Sequence, residues 1–120
     1  MPRDVENKAI ALVVEYERKQ GRNPRIVSRT GCGYDIKSEN RCIEVKGQSM
    51  KNPDFIYLYK KTLAKLGADT LNYYIYVVYD INNKPKLKIL PPEKIFGNIE
   101  IEPMFLIRGK VFRDLEDIEL

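Results

Sequence analysis

The sequence predicts a single α/β domain spanning residues 1–120, a length that allows one modest core and is too short for two. Apolar residues recur at helical spacing from Val5 to Tyr16 and predict a helix over residues 4–20. The run from Tyr73 to Asp80 is rich in tyrosine and valine and predicts the strongest strand. Residues 33–38 and 41–47 predict a β-hairpin about Glu39-Asn40.

The remaining elements follow from turn residues and short apolar runs. Asp4 is suited to cap the first helix and Gly21 to end it. Asn23-Pro24 forces an extended or turning segment after that helix. The other predicted elements are a short strand at 25–28, a polar loop at 48–53, a strand at 55–59, a helix at 60–67, a strand at 86–90 and a strand at 99–107 that Pro103 interrupts.

The composition excludes several kinds of site. The chain has no histidine, which rules out histidine bases and ligands, and its two cysteines cannot build a four-ligand zinc site. Any catalysis must use other side chains or a hard metal ion bound by carboxylate oxygens. The net charge of +4 permits nucleic-acid binding without demanding it. Because no apolar run approaches the roughly 20 residues of a membrane span and no signal-peptide pattern is present, we expect a cytoplasmic protein without membrane contact.

The hairpin carries the strongest candidate site. If Ser38 pairs with Arg41, Asp35 lies directly opposite Glu44, and such side chains are about 5 Å apart on one face. Lys46 shares that face because it is two residues beyond Glu44. Ile36, Ile43 and Val45 then point to the other face, and Cys42 faces Lys37. A slip of one residue would destroy this arrangement. We expect Cys32 and Cys42 to be unbonded packing residues.

Two carboxylates and a lysine on one face have the chemistry of a metal-dependent nuclease. Asp35 and Glu44 can hold Mg²⁺ and leave positions for water and a phosphate oxygen. Lys46 can position or deprotonate that water, or stabilise the transition state. The alternative is a charged, solvent-facing surface on an ordinary hairpin, since charged residues make up 32% of the chain.

Further acids and a polar side chain are candidates near the same site. Glu6 and Glu17 lie on nearly the same side of the first helix, and either could reach over a sheet edge to add a carboxylate. The alternatives are a favourable charge at the helix N-terminus for Glu6 and a surface acid paired with a neighbouring base for Glu17. Gln48, which begins the polar loop, is a further candidate.

Basic and aromatic side chains are candidates for contact with nucleic acid. Lys51, Lys60 and Lys61 belong to one loose basic cluster and Arg29 to another, and either could follow a phosphate backbone. A solvated charged face is the alternative. Tyrosines could stack on bases, although strand alternation places half of them in the core; they are Tyr57, Tyr59, Tyr73, Tyr74, Tyr76 and Tyr79.

Several segments together resemble a known family. The matching pieces are Tyr16-Glu17-Arg18, Gly21-Arg22-Asn23-Pro24, Val27-Ser28, Gly33–Ser38, Ile43–Gly47 and Tyr74–Val78, with Pro85 and Pro91. In this order and spacing they resemble the NO VEIN C-terminal domain family, found alone or at the end of some helicase-like and defence-related proteins. The resemblance covers roughly residues 6–95, and residues 96–120 form an extension of unknown role.

The resemblance implies a restriction-endonuclease-like, three-layer fold of the PD-(D/E)XK type, in which helices flank a central mixed sheet. It implies that Asp35 and Glu44 are ligands for Mg²⁺ or Mn²⁺, that Lys46 is the catalytic lysine and that Glu6 is an auxiliary acid. The family usually has an Asn-Glu pair at the start of the helix after the third site strand. Here Leu58-Tyr59-Lys60-Lys61 has no acid, and its lysines could bind phosphate instead.

The function expected from these observations is Mg²⁺-dependent hydrolysis of DNA, linked to DNA repair or defence. We expect DNA as the substrate, a homodimer that cuts both strands, and a helicase or restriction-modification partner. A second hypothesis is a module of the same fold that binds nucleic acid or docks a partner without cutting. A third is a structural or toxin-antitoxin-like interaction protein. Family membership alone does not decide among these hypotheses.

Overall fold

A five-stranded mixed sheet with helices organises the computed structural model, which describes residues 2–28, 31–53, 55–100, 112–113 and 115–119. The chain is therefore of the α/β class, as predicted. The elements in chain order are α1 (Pro2–Lys19), β1 (Pro24–Ile26), β2 (Ile36–Ser38), β3 (Arg41–Gly47), α2 (Lys60–Ala68), a 3-10 turn (Thr70–Asn72), β4 (Tyr73–Tyr79), β5 (Lys86–Leu90) and α3 (Pro92–Phe96).

The strands lie side by side in chain order, from β1 to β5. The β2–β3 hairpin has the predicted register, in which Ser38 pairs with Arg41 and Ile36 with Ile43. Glu39 occupies its turn with a positive φ of 52°, a conformation that tight turns require. The hairpin register, on which the candidate site depends, is confirmed.

The sheet is mixed because β3 and β4 run parallel while the other pairs are antiparallel. A parallel pair needs a crossover connection, and α2 lies within it. After β4, Asn82 and Asn83 lie in the turn that leads to β5. The backbone N–H of Gln48 donates to Val78 at 2.8 Å, so β3 and β4 remain joined one residue beyond the end of β3.

Each face of the sheet has its own apolar core. On one face, Ala9 and Val13 of α1 pack against Ile36, Ile43 and Val45. On the other face, the core contains residues of α2 and α3; its buried members are Cys42, Leu66, Tyr73, Ile75, Val77 and Ile95. Period-two alternation therefore buries both sides of β3, and the α2 side also receives Glu44 and Lys46.

A glycine allows α1 to approach the sheet closely. A Cβ atom at Gly47 would lie 2.9 Å from the Cβ of Ala9 and 3.1 Å from the carbonyl oxygen of Val5. Real Cβ atoms do not approach other atoms so closely, and any side chain at this position would force the first turns of α1 away from β3.

Three predicted boundaries differ from the structure. β2 begins at Ile36 instead of residue 33, because Gly33 has a φ of +92° that a strand does not allow. β1 covers Pro24–Ile26 instead of 25–28. Residues 55–59 form neither a strand nor a helix; their Ile56 and Leu58 pack against the core on the α2 face.

Other predictions have mixed outcomes. The sequence analysis did not predict α3, which has Pro91 as its N-cap and Pro92 in its first turn. The strand predicted at 99–107 lies almost entirely outside the described residues. Cys32 and Cys42 are free thiols, as expected, and Cys42 faces Lys37. No helix in the described ranges combines the length and apolar character that a membrane crossing requires.

Candidate functional site

Asp35 and Glu44 form a buried carboxylate pair at the open end of the β2–β3 hairpin. Each residue is only 8% exposed. One carboxylate oxygen of Asp35 accepts a hydrogen bond of 2.8 Å from the backbone N–H of Val45, which fixes the Asp35 side chain against β3. Both side chains line the same cleft, and the Asp35 carboxyl is near enough to raise the pKa of Glu44. The structure therefore brings these two side chains together, as the hairpin register predicted.

The backbone before β2 brings Asp35 into place. Gly33 packs so closely against α2 that a Cβ atom there would lie 2.7 Å from the carbonyl oxygen of Lys61. The Tyr73 hydroxyl donates a hydrogen bond of 2.7 Å to the Gly33 carbonyl from β4. A glycine with positive φ therefore lets the chain turn between α2 and β4 and reach Asp35, the residue just before β2.

Glu44 has two partners besides Asp35. The hydroxyl of Thr62, in the first turn of α2, donates a hydrogen bond of 2.8 Å to Glu44 Oε2. The Lys46 ammonium lies 3.6 Å from the same oxygen and 4.6 Å from the centre of the Tyr59 ring. Lys46 is thus held between a carboxylate and an aromatic ring, and Thr62 joins α2 to the site.

The environment of Glu44 opposes its ionisation. Burial raises the pKa of Glu44 to about 8, and the hydrogen bond and negative charge of Asp35 add to that effect. The Thr62 hydroxyl and the Lys46 charge act in the opposite direction without cancelling it. Two carboxylates kept together out of water resist carrying two negative charges, and a cation between them would relieve that repulsion.

The pair opens into a cleft of about 550 Å³ between the hairpin and the start of α2. The first turn of α2 contributes Lys60 and Lys61 to this cleft. That turn contains no acidic residue, and no side chain caps its backbone N–H groups. Unpaired backbone N–H groups and lysines together attract anions. The lining residues are Glu6, Ser28, Gly31, Gly33, Tyr34, Asp35, Glu44, Val45, Lys46, Tyr59, Lys60, Lys61 and Thr62.

The other predicted candidates are distributed around this cleft. Glu6 lines it from α1, but the described residues contain no group of three carboxylate or thiol side chains that could hold a metal ion together. Gln48 lies two residues past Lys46 and donates a hydrogen bond of 2.8 Å to the carbonyl of Phe55. Lys51 is exposed in the following loop. Arg29 lies outside the described residues.

Glu17 lies elsewhere and is fully buried, where the sequence had indicated either a site carboxylate or a surface acid. Its two carboxylate oxygens accept hydrogen bonds of 2.6 and 2.7 Å from Arg22. The Tyr76 hydroxyl donates a third bond of 2.9 Å. Glu17 does not line the cleft, since it lies near the C-terminal end of α1, about three turns beyond Glu6. The Arg22 side chain turns back onto α1 and pairs with Glu17 there.

Thr62 is a site residue that the sequence analysis missed. Its side chain is buried, yet threonine in a lysine-rich helical segment has no local pattern that marks a tertiary hydrogen bond.

The prediction that half of the six candidate tyrosines lie in the core is confirmed only in part. Tyr73 and Tyr76 are buried, while Tyr57 and Tyr59 are more than half exposed.

Comparison with known proteins gives a single positive result. No curated protein and no solved structure matches the chain. A family model described as "Protein NO VEIN, C-terminal" matches residues 5–90, which include α1 from Val5 onward, the whole sheet and every residue that lines the cleft. Because the match covers more than half of the chain, the protein belongs to the Protein NO VEIN, C-terminal family.

Proposed function

We propose that this domain is a DNA endonuclease of the PD-(D/E)XK type that depends on Mg²⁺ or Mn²⁺. The observation that carries the proposal is the buried pair Asp35 and Glu44 beside Lys46 in one cleft. A mixed sheet in which a site hairpin is followed by a crossover helix and a parallel strand supports the restriction-endonuclease-like fold as part of the same proposal.

The donors of the site suit a hard divalent ion. The two side chains that would hold it, Asp35 and Glu44, offer only oxygen atoms, which Mg²⁺ prefers. Burial and the neighbouring Asp35 carboxyl raise the pKa of Glu44, and a cation would offset the repulsion between the two carboxylates. When bound, such an ion lowers the pKa of a water molecule and neutralises charge that develops on a phosphate.

The residues of the chain would divide the remaining work. The α2 N-terminus with Lys60 and Lys61 binds the scissile phosphate and orients it towards the carboxylate pair. Lys46, held by Glu44 and Tyr59, positions the attacking water or stabilises charge on the phosphate. Water oxygen forms a bond to phosphorus, the bond to one ester oxygen breaks, and that oxygen leaves with a proton.

A cleavage assay tests this proposal. Single-stranded DNA, duplex DNA and RNA are incubated with the protein in Mg²⁺, Mn²⁺ or EDTA. We expect metal-dependent cleavage of DNA that Asp35→Asn and Lys46→Ala abolish without loss of folding. Glu15→Gln and Lys19→Ala are matched controls, because these residues form an exposed acid–lysine pair on α1 at 3.2 Å. Cleavage that persists in both site variants would exclude the assigned roles.

A binding module is the second candidate, and one observation favours it. Lysines line the cleft at the start of α2, where the sequence has no acid, and no third carboxylate joins the pair among the described residues. Affinity for DNA that falls steeply with salt, without cleavage in any metal, would support binding alone. A flat salt dependence would exclude phosphate binding by Lys60 and Lys61.

A further inference from the structure

We infer that the segment Phe55–Tyr59, which we call the aromatic strap, binds unpaired bases of a single DNA strand and guides that strand into the cleft. This inference deepens the proposed function and rests on it, because it names the substrate class as DNA with a single-stranded portion.

The strap presents three aromatic rings on its outer side. Phe55, Tyr57 and Tyr59 are 56%, 52% and 69% exposed. Ile56 and Leu58 alternate with them and pack against the core on the α2 face. Exposed and half-buried residues alternate along the segment, so the two aliphatic side chains face the core while the three aromatic residues face outward. Three large exposed rings at alternate positions of one short segment indicate a binding surface more than a packing role.

Hydrogen bonds hold both ends of the strap, and its Tyr59 end lies in the cleft. At its start, the Gln48 side chain donates a hydrogen bond of 2.8 Å to the Phe55 carbonyl. At its end, Tyr59 is the N-cap residue of α2, and its carbonyl accepts a hydrogen bond of 3.0 Å from the Leu63 N–H. The Tyr59 ring lines the cleft and lies 4.6 Å from the Lys46 ammonium. The strap therefore leads from the end of β3 to the carboxylate pair.

The rings are arranged to receive flat, apolar surfaces. Phe55 and Tyr57 meet edge to face, with ring centres 5.0 Å apart and an angle of 67° between the rings. This contact supports both rings while leaving more than half of each side chain exposed. Every base has an aromatic face, so stacking of this kind tolerates any sequence.

The charge around the strap favours a phosphate backbone. Residues 48–61 contain Lys51, Lys60 and Lys61 against the single acid Asp54. Rings that stack on bases beside lysines that contact phosphates are the combination found in single-strand binding grooves. Duplex DNA keeps its base faces stacked on one another, so these rings have nothing to stack on in a duplex. An unpaired strand is therefore the occupant that both features fit.

The test measures binding apart from cleavage. A fluorescein-labelled oligo(dT) about 12 nucleotides long is titrated with protein in EDTA, beside a duplex and an oligo(U) of the same length, by fluorescence anisotropy. We expect tighter binding of oligo(dT) than of the duplex. Phe55→Ala and Tyr57→Ala should each weaken it by about tenfold, and the double variant by more. Tyr57→Trp should keep the affinity of the wild type for oligo(dT). Tyr57→Leu should lose affinity as Tyr57→Ala does, because leucine keeps apolar bulk without an aromatic face.

Phe96→Ala is the matched control, since Phe96 is also about half exposed but lies on α3 and does not line the cleft. Duplex preference, unchanged affinity in the double variant or equal loss in Phe96→Ala would overturn the inference. Binding of oligo(U) without binding of oligo(dT) would also overturn it. The same holds for a double variant that no longer forms a dimer but binds DNA normally. Because these measurements use EDTA, absence of cleavage would refute the nuclease proposal without affecting the outcome for the strap.

Discussion

Asp35→Asn should make the metal-free domain more stable than the wild type at alkaline pH. Asparagine has nearly the same shape as aspartate, and its side-chain oxygen can still accept the 2.8 Å hydrogen bond from the Val45 N–H. The substitution removes the negative charge that opposes ionisation of Glu44. Groups that suit a functional site at the expense of stability are a recognised feature of binding and catalytic sites.

The sign follows from the pKa of Glu44, which folding raises from 4.5 to about 8. An acid whose pKa is higher in the folded state stabilises the fold fully below the lower value. It loses that contribution as pH rises towards the higher value. The interval is about 3.5 pH units, and each unit corresponds to about 1.4 kcal/mol, which gives a ceiling of about 5 kcal/mol. Water entering the cleft reduces this, and we expect about 2 kcal/mol between pH 5 and 8.5.

Urea unfolding in EDTA at pH 5 and 8.5 measures this difference. The chain has no histidine to titrate in this interval, and the comparison of the wild type with Asp35→Asn cancels the contributions of the ionisable groups that the two proteins share. The wild type should lose about 2 kcal/mol of unfolding free energy across that interval, and Asp35→Asn clearly less. Added Mg²⁺ should recover the loss at pH 8.5 in the wild type alone. The same pH dependence in both proteins would refute the reasoning that Asp35 and Glu44 repel each other.

Three further predictions concern the support of the site and the fold. Thr62→Val removes a hydrogen bond that lowers the pKa of Glu44, so the pH midpoint of the stability loss should move upward and Mg²⁺ affinity measured by calorimetry should fall about fivefold. Gly47→Ala should cost about 2 kcal/mol in urea unfolding because its Cβ atom meets α1, whereas Gly67→Ala, with open space around it in α2, should not destabilise the domain. Arg22→Met should cost about 3 kcal/mol, because it leaves a buried carboxylate without its cation; a loss below 1 kcal/mol would mean that this ion pair is not needed.

The register of the β2–β3 hairpin could be predicted from the sequence, because the burial pattern and the turn position agree on it. Ile36, Ile43 and Val45 must share a buried face, and a turn at Glu39-Asn40 allows one register that achieves this. That register alone brings Asp35 opposite Glu44. The strap also alternates as a strand does, which explains why a strand was predicted, but local alternation carries no information about whether a ladder partner exists.

Tertiary contacts that local patterns do not encode account for the remaining differences. Arg22 lies beyond the end of α1, past Gly21 with its φ of +84°, and its return to Glu17 depends on that turn. Helical spacing alone placed Glu17 on a face it shares with Glu6. It did not reveal that Tyr76, from a strand 59 residues away, would supply a hydrogen bond to the buried carboxylate.

The two buried glutamates, Glu17 and Glu44, show that hydrogen-bond donors decide whether the pKa of a buried carboxyl group rises or falls. Burial raises the pKa of both, but at Glu17 hydrogen bonds from Arg22 and Tyr76 outweigh it and lower the pKa below 4.5. Arg41 extends that network by donating a hydrogen bond of 2.7 Å to the Tyr76 hydroxyl, so two arginines and a tyrosine support the buried carboxylate of Glu17. The open end of the hairpin has the opposite arrangement.

At that open end, Glu44 shares its environment with a second carboxylate, and its pKa rises to about 8. A fold that can bury a glutamate with an arginine and a tyrosine at one end of its sheet does not need two opposed acids at the other for stability. Their cost is understandable if the cleft is completed by a cation, which the first prediction tests through the effect of Mg²⁺ on unfolding at pH 8.5.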